Sequence, residues 1–223
     1  MKTLLTALAA LLVSASALEA ETPYLCDRQG SRLHYVRTDV SSGRTVWNHV
    51  LEVTGVSGGS GERTVECTST FTKASGKTIV SPVSYSAVID SDGNVTTDVS
   101  AAVRSAISGI LPKAGISSES TASTLPAVLV PGTSLPDVHS TLTVAGQKIT
   151  IDVTERKVLY EEEIQTPAGT FGCVVVTEHK KERYGIYKRD TVSRTWYCRG
   201  VGMVRHDTLK NGKLETSEVL VSL

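Results

Sequence analysis

The chain has 223 residues, and Lys plus Arg balances Asp plus Glu at 23 each. That neutrality gives no electrostatic footprint for nucleic acid or anionic lipid, and aromatics at 5% offer few platforms for stacked bases. A chain of this length can bury one β-rich core unaided.

The opening MKTLLTALAALLVSASALEAE reads as a secretory signal peptide over residues 1–20. Lys2 is the positive n-region, residues 4–13 are the apolar core, and Ala15-Ser16-Ala17 is the small-residue site, with cleavage after Ala17 or Ala20. The apolar run is too short to span a bilayer, which takes about 20 residues. No later segment is apolar enough to do so, so no transmembrane segment is expected. Cys26 follows Pro23-Tyr24-Leu25 and lacks the small neighbour that lipid attachment wants. The expected product is a soluble periplasmic or envelope protein with a single β-rich domain over residues 21–223.

Strands come first. Residues 32–40 and 44–56 flank a Ser-Ser-Gly turn and alternate as a hairpin does. Residues 63–74 and 77–90 continue the meander, with Pro82 predicting an edge position or a bulge. A helix is predicted over residues 98–111. Val99, Ala102, Val103, Ala106, Ile107, Ile110 and Leu111 make an apolar stripe at helical period, Asp98 can cap it and Pro112 can stop it. Val99, Val103, Ile107 and Ile110 are the expected lid against a sheet. Residues 112–137, rich in Ser, Thr and Pro, read as a crossover.

The β pattern resumes with strands at 140–146, 147–156, 157–166, 170–180, 184–198, 202–209 and 214–223. Asn211-Gly212 is the strongest hairpin turn, because both residues tolerate positive φ. About ten antiparallel strands and one helix predict a mainly β fold. The expected form is a curved antiparallel sheet, half-barrel or barrel-like, with the helix over its concave side.

Letter-matches to catalytic motifs lack their contexts. Gly200-x-Gly202 has Arg205 where a third glycine belongs, and a strand follows it rather than a helix. The two glycines therefore predict a bend. Gly55-x-Ser57-x-Gly59 lacks the helix that a nucleophile elbow needs. His34 and His49 can face each other across the first hairpin, but a metal would need further ligands. His206-Asp207 would need a nucleophile in reach to act in a hydrolase. No catalytic, metal or cofactor residue is assigned. Cys26, Cys67, Cys173 and Cys198 form an even set in an exported chain, which predicts two disulfides. Reversal near Gly185 brings Cys173 toward Cys198 and leaves Cys26 for Cys67.

PGTSLPD (131–137), TPAGTFGC (166–173), WYCRGVGMV (196–204) and KNGKLE (210–215) occur in an order that resembles the TapB-like family of exported bacterial domains of unknown function. The resemblance covers about the last 100 residues. Gly169, Phe171, Trp196, Tyr197, Gly200 and Gly202 are the shared positions, of kinds that a fold needs. The resemblance implies a curved, exported β-fold reminiscent of lipoprotein carriers and no established activity. The function expected is a non-enzymatic envelope module that binds an apolar or lipid-like amphiphilic ligand beneath the helix. The alternatives are a scaffold acting on an envelope protein and, behind it, a hydrolase.

Overall fold

The structure, a computed structural model, describes residues 21–223 except 60, 112 and 114. The leader expected at residues 1–20 and the stop expected at Pro112 lie outside the described residues. The chain opens as a meander of β1 (Arg32–Asp39), β2 (Thr45–Gly58), β3 (Glu62–Thr72), β4 (Thr78–Asp90) and β5 (Val95–Thr97). Helix α1 (Val99–Ile110) follows, then the short strands β6 (Ile116–Ser120) and β7 (Ser123–Leu125). The second meander is β8 (Val138–Val144), β9 (Gln147–Thr166), β10 (Gly169–Tyr184), β11 (Tyr187–Cys198), β12 (Gly202–Lys210) and β13 (Lys213–Ser222).

All thirteen strands join one antiparallel sheet in the order β6-β8-β9-β10-β11-β12-β13-β1-β2-β3-β4-β5-β7. Pairing of β1 with β13, Asp39 opposite Thr216, welds the two meanders together. The sheet curves without closing into a barrel, so the fold is mainly β with one helix, as expected. Helix α1 packs on β4 from one arm of the sheet and on β6 and β8 from the other. It bridges the gap that pairing leaves open.

The core lies on the inner face. Leu33, Tyr35, Val53, Val65, Val158, Val176, Val204 and Leu220 are all at 2% exposure or less. Alternation puts every second residue of a strand on this face. A smaller cluster of Val138, Ile151 and Val153 receives Val99 and Val103 of α1.

Four differences from the expected pattern matter. Residues 147–166 form one strand, not two. Pairing with β10 jumps from Thr177 opposite Lys157 to His179 opposite Thr154, a bulge at residues 155–156, with Glu155 at φ 54°. The crossover contains β6 and β7, edge strands made mostly of Ser, Thr and Glu. The apolar stripe of α1 is only partly covered. Val99, Val103 and Ile107 are half-buried, and Ile110 is 64% exposed. Pro82 does sit at a register break, between Ser69 opposite Val83 and Phe71 opposite Val80.

The fourth difference is a correction: all four cysteines are free thiols. The register beside Val174 opposite Tyr197 sets Cys173 against Cys198, as the reversal near Gly185 implied. Each sulfur points back at its own strand. Cys173 Sγ lies 3.6 Å from the Phe171 carbonyl and Cys198 Sγ 3.7 Å from that of Arg199. The neighbouring Cys173 thiol lowers Cys198 to about 7, while Cys198, with burial, raises Cys173. Cys26 and Cys67 share the buried core, where burial pushes Cys67 up to about 11 despite a hydrogen bond with Tyr85.

Candidate functional site

Between α1 and the concave sheet lies a cavity of about 400 Å³. Its formation follows from local structure. Asp98 caps α1 by accepting from Ser100 N at 2.8 Å and from the Ser100 hydroxyl at 2.7 Å. That fixes the first turn of α1 over the cavity, with Val99 and Ala102 as roof. Leu51, Val95 and Leu125 supply apolar wall, and Val201 to Met203 closes one side.

The last segment owes its place to the bend predicted from the paired glycines. Gly200 and Gly202 have φ of 70° and 89°, a region that side chains rarely enter. A Cβ on Gly202 would lie 3.5 Å from the Leu25 Cα and from the Tyr24 carbonyl oxygen. The bend thus clasps the segment before β1. Gly200 N donates to Pro23 O at 2.8 Å, and Arg199 donates to Thr22 O at 2.8 Å while stacking on Tyr24 at 4.7 Å. Trp196 is buried just before the bend, under the Arg205 guanidinium, and its Nε1 donates to Glu162 at 2.7 Å. Gly169 ends the β9–β10 turn with Phe171 beside it.

The polar groups of the cavity are few. Tyr35 donates from its hydroxyl to Met203 O at 2.9 Å, and burial pushes its ionisation well up. His49 is sandwiched between Tyr35 and Phe71 at ring separations of 5.1 and 4.4 Å. Its Nδ1 meets Glu218 at 2.9 Å and its Nε2 meets the Ser69 hydroxyl at 3.0 Å, so both nitrogens are engaged. Tyr197 rises to about 12 through burial and the Glu178 charge, with Arg156 opposing. Arg156 is the cation of the site. It is 4% exposed, donates to Pro136 O at 2.8 Å, and stands 3.6 Å from Glu178 through an Nε that lacks a hydrogen bond.

Arg156 and Tyr35 were not singled out from sequence, and His49 was considered only as a metal-ligand candidate with His34. Arg156 faces inward because the bulge at Glu155 flips the parity of β9. Ile151 and Val153 point in before it, and Arg156 and Val158 after it. A change of apolar parity from odd to even positions within 149–158 was the available signal.

The other candidates are placed as follows. Val99 reaches the cavity and Val103 the smaller cluster, whereas Ile107 and Ile110 lie toward the exposed end of α1. His34 stands opposite Val50, and His49 opposite Tyr35, so the two histidines are on different faces. Among the described residues no group of three or more metal-binding side chains occurs. His206 and Asp207 likewise point to opposite faces. His206 bonds Thr195 at 2.9 Å, and Asp207 is held by Arg205 and Ser217. Ser57 sits exposed in β2, which turns into β3 rather than a helix. A second, wider cleft of about 480 Å³ is lined by Glu161, Glu162, Glu163, Cys173, Cys198 and Arg199 among others. Its acidic lining and open mouth suit solvent.

A family model described as DUF3108-like matches residues 28–220. No curated protein is significantly similar in sequence. A crystal structure from Bacteroides fragilis, described as an exported protein with YmcC-like fold, superposes with TM-score 0.72 at 21% identity, over 91% of this chain and 98% of that one. A crystal structure from Parabacteroides distasonis, described as a lipoprotein, gives TM-score 0.73 at 19% identity, over 90% and 98%. The likeness is one of fold. The family is the DUF3108-like one; the match does not confirm the TapB-like name drawn from the C-terminal motifs.

Proposed function

We propose that this chain, which belongs to the DUF3108-like family, is an exported, non-enzymatic carrier or sensor that holds one apolar or amphiphilic molecule under α1. The observation that carries the reading is the apolar cavity of about 400 Å³, roofed by a helix whose apolar stripe is only half covered. Ligand sites are apolar, concave and equipped with few polar groups, and this cavity has that composition. A chain of CH₂ groups entering it gains about 0.8 kcal/mol for each one buried. Arg156 and the tyrosine hydroxyls would receive a polar head. Export is supported by the leader read at residues 1–20 and by the descriptions of the two structural neighbours.

The test is native mass spectrometry of the protein purified from its own envelope in a mild detergent. A co-purifying amphiphile at near-stoichiometric amount is expected. A preparation with no small molecule, which also fails to take up a fluorescent fatty acid, rejects the reading.

A further inference from the structure

The neutral total of the chain conceals a separation of charge between the two ends of its sheet. In an antiparallel meander successive turns alternate ends. The β1–β2, β3–β4, β8–β9, β10–β11 and β12–β13 turns therefore share one end. Each of them presents exposed cations: Arg44 on the first, Lys73 and Lys77 on the second, and Lys148 on the third. Arg183 and Lys188 flank the fourth, and Lys210 and Lys213 the fifth. The acids nearby are already engaged. Asp39 accepts from Ser41 and Ser42, while Glu182 and Glu215 pair with Lys180 and Arg189. The opposite end differs. Its turns carry Glu62, Asp90 and Asp92, its cations Arg32, Arg63 and Arg199 are paired with Glu52, Asp27 and Glu21, and Arg28 is its remaining exposed cation.

Exposed apolar side chains gather at the same basic end. The β10–β11 tip is Tyr184-Gly185-Ile186-Tyr187, with Ile186 fully exposed and both tyrosines more than half exposed. The free end of α1 adds Ile110 and Leu111, beside Ile79 at the start of β4, since Gly109 meets Ser81. A basic rim without apolar tips would suit any polyanion. Tyrosine and isoleucine at the apex of a cationic rim match a bilayer interface, where rings sit among headgroups and aliphatic tips enter the acyl boundary.

We propose that this end of the sheet docks on an anionic phospholipid surface, with the β10–β11 tip inserted and the flanking lysines and arginines on the headgroups. The docking is a separate property from the cavity and does not depend on its having a ligand. Each basic residue near such a surface strengthens binding about fivefold at low salt.

The test is vesicle flotation of the purified chain with phosphatidylcholine alone and with phosphatidylcholine containing phosphatidylglycerol. Binding at least about tenfold tighter to the anionic vesicles, weakened by added salt, is expected. The double variant Arg183→Gln, Lys188→Gln should lose about 25-fold on anionic vesicles. Ile186→Ser should weaken binding without changing the salt dependence, and Arg63→Gln at the opposite end should bind as the parent does. All four positions lie in or beside exposed turns, and circular dichroism checks that the variants fold. Equal binding to neutral vesicles, unchanged binding in the double variant, or binding to duplex DNA as tight as to the anionic vesicles overturns the proposal.

Discussion

At the residue scale, His206 ties this fold to pH. It is half-buried beside a small polar cavity that Arg37, Lys180 and Arg189 also line. Burial, reinforced by the Arg37 charge, lowers it from 6.5 to about 4. The unfolded chain therefore binds a proton that the folded chain refuses. Stability is fully present above pH 6.5, falls as pH drops toward about 4, and loses roughly 3 kcal/mol in all. Glu218 behaves separately. Burial alone would raise it, but the hydrogen bond from His49 and the charge of Arg37 hold it below the usual carboxylate range. Its contribution is lost only below pH 4.5, and His179, raised by its hydrogen bond with Asp190, contributes stability that is present below pH 6.5 and lost above it, so the loss between pH 6.5 and 4.5 that the His206→Gln variant removes is that of His206. Urea unfolding of the parent and of His206→Gln at a series of pH values checks this. The parent should weaken between pH 6.5 and 4.5 and the variant should be flatter there; parallel curves reject the assignment. Sequence showed a histidine next to an aspartate and raised the thought of catalysis. It could not show that strand alternation separates the two, or that neighbouring β11 offers the Thr195 hydroxyl instead.

Among the elements, α1 was the most legible and the most incompletely read. Its stripe, its Asp98 cap and its length were written in the local sequence, because helical period and capping are local properties. How far the stripe is covered depends on two sheet arms remote in sequence, β4 on one side and β6 with β8 on the other. The chain leaves that face half open. The bend at Gly200 and Gly202 was legible for the opposite reason, since its positive φ values favour glycine. The bulge at Glu155 was not, since glutamate carries no preference for φ 54° and tertiary packing imposes it. The cysteines fall between these cases. Adjacency of Cys173 and Cys198 followed from register arithmetic, but side-chain direction decides whether sulfurs bond, and register is silent about that. The cap gives the element its test. Asp98→Ala removes the acceptor for Ser100 N and should cost about 1 kcal/mol. Hydrogen exchange should quicken in the first turn of α1 while β1 and β13 stay protected. Loss of protection throughout the sheet would mean that α1 is a keystone rather than a lid.

For the whole molecule, the central fact is a sheet that stops short of closure, its two arms joined through a helix and a cavity. The strand pattern could predict the sheet, since about ten strands with one helix must curl to bury a face, but not the volume left inside it. That volume depends on packing between Val99, Leu51, Leu125 and Met203, residues far apart in the chain. A molecule filling the cavity would touch the first meander, α1 and the bend after β11 together. It would then stabilise the folded state by mass action. At a free concentration of a hundred times Kd the gain is about 2.7 kcal/mol. For a chain of this size each kcal/mol raises Tm by about 2–4 °C, so an amphiphile that fits should raise Tm by about 5–10 °C. Lauric acid, kept below its micelle concentration, is a suitable probe in scanning calorimetry. Ala102→Trp, which fills the roof of the cavity, should abolish the shift while leaving a cooperative transition. A shift of the same size in that variant would place the fatty acid elsewhere on the protein, and no shift in the parent would leave the cavity a packing defect of an unclosed sheet.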